Sequence, residues 1–268
     1  ADAADDRLRW LPGMEEPEQF GDRAKALAWL DGERAGLVAA VGWAREERFA
    51  AMAVRLAECL GEYLNWRRYF DDWVAVAEAA REAAHRTGDR PSEARAWNNL
   101  GLALLDAGLT DEAIDAHTRA RDLSRATDDR YREGMAWNNL GLALLDAGRT
   151  AEVIDAHTRA RDLSQATEDR HLEAIAWHNL GIALRAAGRA EEAVVAYGRS
   201  LEICREFEDW YGAGQTLDNL ALAHKAALRL AEARTAYLQS AEAYDRAKAP
   251  ARAAQARARA ADLDAPSP

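Results

Sequence analysis

The stretch AWNNLGLALLDAG at 96–108 returns unchanged at 136–148. Extended outward, 96–135 and 136–175 agree at 31 of 40 positions. Weaker copies follow as AWHNLGIALRAAG from Ala176 and TLDNLALAHKAAL from Thr216, and LAECLGEYLNW from Leu56 carries the pattern upstream. Self-similarity at a fixed period of this length marks a stacked array. A single unit cannot cover its own apolar face and must bury it against the next.

Each unit reads as two helices. In the first, Trp97, Leu100, Gly101 and Leu104 recur at helical spacing as a buried stripe. Gly108 stands where a left-handed residue would end that helix. Thr110 is the expected N-cap of the second helix, with Asp111 and Glu112 in its first turn. That helix is expected to bury Ala113, Ile114, Ala120 and Leu123, and TDDR or TEDR marks the turn into the next unit. Small residues at Gly101, Gly141, Gly181 and Ala221 let the paired helices approach closely.

The bulk numbers agree with an all-α chain. Its 268 residues are 49% hydrophobic and 30% charged, with only 6 prolines. A formal charge of −11 argues against a nucleic-acid backbone as partner. No apolar run is long enough for a membrane helix, and ADAADDRLRW lacks the features of a signal peptide. Cys59 and Cys204 are far apart with no metal-type spacing, which fits a reducing cytoplasm. Lysine occurs only at Lys25, Lys225 and Lys248, the bias of a GC-rich bacterial genome. The chain opens on Ala1 rather than methionine, as an excised fragment, a processed chain or an offset numbering would.

The order Trp-x-x-Leu-Gly-x-x-Leu, then Gly, then Glu-Ala resembles the tetratricopeptide repeat. Trp97, Leu100, Gly101, Leu104, Gly108, Ala113 and Ala120 occupy its signature positions. The unit has 40 residues rather than the usual 34 of that family and lacks its closing proline, as in a longer-helix variant of the repeat. The resemblance covers about 56–249 and implies a right-handed α-solenoid of about five helix pairs. The expected organisation is an acidic linker at 1–22, N-terminal helices at 23–47, the solenoid at 48–249, and a capping helix with its tail at 250–268. Within the solenoid the clearest units are 96–135, 136–175, 176–215 and 216–255. The segment ALAWLDGERAGLVAAVGWA at 26–44 resembles the junction before the repeats in STAND/NB-ARC-type NTPase regulators.

The paired asparagines carry the functional reading. Residues four, seven and eleven apart share a helix face, which groups Arg95, Asn99, Leu102 and Asp106. The next units supply Met135, Asn139, Leu142 and Asp146, then Ile175, Asn179 and Ile182, then Asn219 and Leu222. Across the array these form an amide row, Asn99, Asn139, Asn179 and Asn219, beside an aliphatic row, Leu102, Leu142, Ile182 and Leu222. The family resemblance puts this face on the concave side, where asparagine at this position contacts a ligand backbone. Neighbouring first helices about 8–10 Å apart match roughly three residues of extended chain at about 3.3 Å each. An amide donates and accepts, so the row can hold a peptide main chain. The same amides can instead bridge neighbouring helices and fix their register. Asp106 and Asp146 either favour a basic peptide or are solvated helix ends.

The expectation is therefore a cytoplasmic, non-catalytic module that binds a protein or peptide in its groove, with no cofactor, metal, nucleic acid or membrane. Its wider context is the sensor part of a STAND-type regulator, docked on an upstream NTPase switch domain. The alternative is a scaffold for self-association or intramolecular docking. His117 and His157 read as packing residues, and Trp66 and Trp73 as a seal at the first repeat.

Overall fold

A computed structural model of the chain describes residues 23–43 and 49–263. The expected linker at 1–22, residues 44–48 and the tail at 264–268 lie outside the described residues. Among the described residues there are twelve α-helices and no strand. They are α1 Arg23–Trp43, α2 Ala50–Trp66, α3 Phe70–Thr87, α4 Arg90–Asp106, α5 Thr110–Ala126 and α6 Arg130–Asp146. There follow α7 Thr150–Ala166, α8 Arg170–Ala186, α9 Ala190–Glu206, α10 Trp210–Ala226, α11 Leu230–Arg246 and α12 Pro250–Asp262. None of the described helices is long and apolar enough to cross a membrane.

From α2 onward every helix begins 20 residues after the one before, at 50, 70, 90 and so on to 250. The five pairs α2/α3 to α10/α11 are the repeats, and the first helix of each is called A and the second B. Linkers of three residues, or two between α3 and α4, keep this register, and each has a left-handed residue just before its last. Four are glycines, Gly88, Gly108, Gly148 and Gly188, and six are not, Arg68, Asp128, Glu168, Glu208, Leu228 and Lys248. The hydrogen bonds show why. Leu109 N donates to Leu104 O at 2.8 Å and Gly108 N to Leu105 O at 3.0 Å, so the turn satisfies two carbonyls the helix leaves open. The same pair recurs at Asp129 to Ser124 (2.9 Å) and Asp128 to Arg125 (3.2 Å).

The N-caps correct the sequence reading. Thr110 is the first residue of α5; Leu109 holds the cap position and makes no side-chain bond. The capping residues are aspartates at the end of each B-to-A linker. Asp89, Asp129, Asp169 and Asp209 accept from the backbone N–H of Ser92, Arg132, Leu172 and Gly212 at 2.9–3.2 Å. In α7 and α9 the cap is replaced by a fork, Arg149 onto Glu152 and Arg189 onto Glu192, each with contacts of 2.6 and 2.7 Å.

Two compact units divide inside α6, one ending at Ala143 and the other beginning at Leu144. In the first, α1 packs on α2 and α3, and one core runs through Leu30, Val54, Leu60, Tyr63, Trp73 and Val76. Asp31 ties α1 to α2 by accepting from Tyr63 Oη at 2.9 Å and Arg67 Nε at 3.0 Å. Trp73 is 4% exposed and belongs to that core, whereas Trp66 is 51% exposed and does not seal it. In the second unit smaller clusters centre on Tyr197, on Leu201 with Leu217, and on Tyr237.

Helix pairs close on small residues. A Cβ added to Gly101 would lie 2.5 Å from the His117 ring, and one added to Gly181 would lie 2.5 Å from the Tyr197 ring. Successive repeats are joined by an arginine on a B helix stacked on the next A-helix tryptophan. Arg121 lies 4.6 Å from the Trp137 ring centre and Arg161 lies 4.8 Å from that of Trp177. Buried Glu133 and Glu173 accept from those indole N–H groups at 3.3 Å. One repeat later both stacking partners become leucine, Leu201 and Leu217, and pack together in the core.

Candidate functional site

The A helices carry every residue of the two rows. Asn99 and Leu102 sit on α4, Asn139 and Leu142 on α6, Asn179 and Ile182 on α8, Asn219 and Leu222 on α10. All eight are half-buried, as are Arg95, Met135 and Ile175, while Asp106 and Asp146 are exposed. Exposed though the residue is, partial desolvation of the Asp106 carboxyl raises it, opposed by nearby Arg68.

The amides bond backward along the array. Asn99 accepts from Trp73 Nε1 at 3.3 Å, and its Nδ2 reaches Ala57 O on α2 at 3.5 Å. Asn139 Nδ2 donates to Asn98 Oδ1 at 3.0 Å. Asn219 Nδ2 donates to Gln215 O at 3.3 Å and to His178 Nε2 at 3.4 Å. Three of these links, to Ala57, Asn98 and His178, span neighbouring A helices; that to Trp73 reaches the B helix α3, and that to Gln215 stays within α10. A side-chain amide has two donors and an oxygen with two lone pairs, so one such bond does not exhaust it.

The position just before each row asparagine is the other half of these links. Asn98 accepts from Asn139. His178 stands between Asn219 and Thr216, whose Oγ1 is 2.8 Å from Nδ1. With Asn219 donating to Nε2, the proton sits on Nδ1 and Thr216 accepts it. Asp218 turns to the end of the array, accepting from Ser240 Oγ at 2.8 Å and Arg259 at 3.3 Å. The doubled Asn-Asn in the sequence was the available signal, since one residue of each pair reaches the partner of the next at a separation of 41.

Four predicted residues come together in one cleft of about 450 Å³ in the first unit: Arg95, Asn99, Leu102 and Met135. Asn98 and Arg132 line it too, with Glu58 entering from α2 and Tyr131 from α6. Leu142, Asp106 and Asp146 do not line it. Charges inside are largely matched. Arg95 Nε lies 3.5 Å from Glu58, its Nη2 donates to Ser92 Oγ at 2.9 Å, and Arg132 Nη1 donates to its own cap residue Asp129. The cleft thus offers an amide pair, an apolar wall and charges of both signs.

Beneath the A helices, His117 and His157 are fully buried with neither ring nitrogen hydrogen-bonded. Burial pushes both imidazoles down to about 4, with His178 adding to the effect at His157, and burial takes His178 to about 4 as well. All three are neutral at pH 7. His117 and His157 are packing groups, as their equivalents Tyr197 and Tyr237 show.

Comparison with known proteins supplies the lineage. The family model described as tetratricopeptide repeat matches residues 92–166, 132–206 and 172–246. No curated protein matches the chain. Among solved structures, BtubC (BKLC) from P. vanneervenii is 20% identical over 89% of this chain and 94% of its own, with a TM-score of 0.68. A Podospora anserina kinesin light chain of nearly identical TPR-like repeats is 16% identical over 74% of this chain and 96% of its own, at 0.62. A Rap protein complexed with competence and sporulation factor is 15% identical over 89% of this chain and 72% of its own, at 0.59. At these identities the likeness is one of fold.

Proposed function

The chain belongs to the tetratricopeptide repeat family, and from that premise we propose that it is a non-catalytic module binding an extended peptide segment of another protein along its A-helix face. The observation that carries this is the cleft holding Arg95, Asn99, Leu102 and Met135. Half-buried amides beside aliphatic side chains can pair with a peptide main chain and receive its side chains. A structural relative was solved with a bound factor, which supports the reading by analogy of fold. Along the rest of the face the proposed contacts are Asn139, Asn179, Asn219, Leu142, Ile182, Leu222 and Ile175, with Asp106 and Asp146 at the helix ends. The resemblance of 26–44 to a STAND/NB-ARC junction supports a place as the sensor part of such a regulator.

A second reading has its own support. The links Asn139–Asn98 and Asn219–His178 use the amides to hold A helices in register, which a scaffold without external peptide would also require. The test selects binders from a displayed peptide library and titrates them against wild type and Leu102→Glu/Met135→Glu, a pair that leaves the amide links in place. Peptide binding is expected to weaken at least about tenfold in the variant, with an unchanged far-ultraviolet spectrum. No selectable peptide, or equal affinity for the variant, would leave the scaffold reading standing.

A further inference from the structure

A second cleft, of about 660 Å³, opens on the other side of α4 from the amide cleft, between α3, α4 and α5. It is lined by Trp97 and Leu123, by Arg81, Arg90 and Arg119, and by His85, Glu93 and Asp122. The Arg81 and Arg119 guanidiniums lie 5.2 and 5.4 Å from the Trp97 ring centre. The repeats provide an internal control for these three arginines, since each has counterparts 40 and 80 residues on.

Every counterpart has a carboxylate. In place of Arg81, Arg121 pairs with Asp122 at 2.7 Å and Arg161 with Asp162. In place of Arg90, Arg130 pairs with Asp128 at 3.6 Å and Arg170 with Glu206 at 2.9 Å as well as Glu173. In place of Arg119, Arg159 pairs with Asp155 at 3.7 Å and Arg199 with Glu202 at 3.0 Å. Around Trp97 no described carboxylate pairs with any of the three, and Arg81 Nε is buried without a hydrogen bond. Asp115 stands where Asp155 pairs with Arg159 but forms no ion pair with Arg119, and the other equivalents are accounted for. Gly88 stands where the later linkers have Asp128 and Glu168. Glu82 is drawn to Arg86 at 3.1 Å, Glu93 to His85 at 2.8 Å, and Asp122 to Arg121.

We propose that this cleft binds an oxyanion-bearing segment of a partner protein, its carboxylate or phosphoryl groups held by Arg81, Arg90 and Arg119 against Trp97. Guanidinium forks match either oxyanion in a two-point contact. In a chain of net charge −11, three arginines that form no ion pair, in a cleft whose two carboxylates Glu93 and Asp122 are paired with His85 and Arg121, form a local exception that a short acidic segment fits. A long polyanion would meet the repulsion of the rest of the surface.

The test is fluorescence anisotropy on the whole chain with three labelled peptides of one sequence, carrying phosphoserine, glutamate or serine at the same positions. At least one charged peptide is expected to bind, more weakly as salt rises, and the serine peptide to fail. Whichever charged peptide binds more tightly identifies the oxyanion, and inorganic phosphate as competitor shows whether the phosphoryl group alone suffices. Arg81→Gln/Arg90→Gln/Arg119→Gln should lose at least about tenfold in affinity, while Arg159→Gln/Arg199→Gln should not. Leu102→Glu/Met135→Glu should also leave this binding unchanged, so failure of the amide cleft and failure of this one are separable. Absence of binding by both charged peptides overturns the proposal, and so does equal binding by the triple variant or an equal loss in the control.

Discussion

Acidification should unfold this protein through its histidines, well above the pH at which its carboxylates matter. His117, His157 and His178 fall from an ordinary 6.5 to about 4 because burial denies the charged ring its water. Below pH 6.5 the unfolded chain takes up protons that the folded chain refuses until about pH 4. The stability these neutral rings confer is therefore complete above pH 6.5 and is lost as pH falls towards 4. At about 1.4 kcal/mol per pH unit for each group, lowering pH from 6.5 to 5 costs about 2 kcal/mol per histidine. Asp129 and Glu173 are held below their ordinary values of 3.8 and 4.5, so their contribution is lost only below this window. Urea titrations followed by circular dichroism at pH 7, 6.5, 5.5 and 5, comparing wild type with His117→Tyr, measure the difference. Tyrosine is the natural occupant of the site, since Tyr197 packs on Gly181 as His117 packs on Gly101. The variant should lose about 2 kcal/mol less than wild type over that interval. Parallel slopes for the two proteins, or an imidazole resonance of His117 titrating near 6.5, would show that the ring is not held neutral.

Two further changes probe the helix packing and the linkers. Gly101→Ala puts a methyl 2.5 Å from the His117 ring and should cost about 1–3 kcal/mol, read as a lower urea midpoint. Leu228→Gly relieves a left-handed residue (φ 59°) whose side chain is 86% exposed, and should raise stability by about 1 kcal/mol. A fall in its thermal midpoint would mean that the exposed leucine makes a contact worth more than the backbone strain.

The fold was readable because the information was written several times over. Leu100, Leu104, Ala113, Ile114 and Ala120 are buried as their spacing required, and two neighbouring units agree at 31 of 40 positions. What misled was local. Thr110 looked like a cap because a hydroxyl preceded two acids, but the preceding linker residue already occupies the cap position. The caps were instead in the TDDR and TEDR turns, where Asp129 and Asp169 end one linker and start the next helix. At the candidate site, spacing placed the asparagines on the A helices but could not say what their amides would meet. That depends on the neighbouring A helix, which brings Asn98 to Asn139 and Ala57 to Asn99. The arginines around Trp97 were invisible for a related reason. Their composition matches that of the later repeats, and only the distances reveal which of them lack partners.

The unbroken twenty-residue cadence of helix starts has a genetic corollary. Because adjoining copies present almost interchangeable mating faces, unequal crossing-over between them could lengthen or shorten the array in frame without requiring any new joint to be invented. The same interchangeability is a hazard during synthesis, when a nascent helix can meet its neighbour's partner before its own. The divergence at 201 and 217, where leucines replace the stacked arginine and tryptophan, gives that junction an address that the earlier ones cannot imitate.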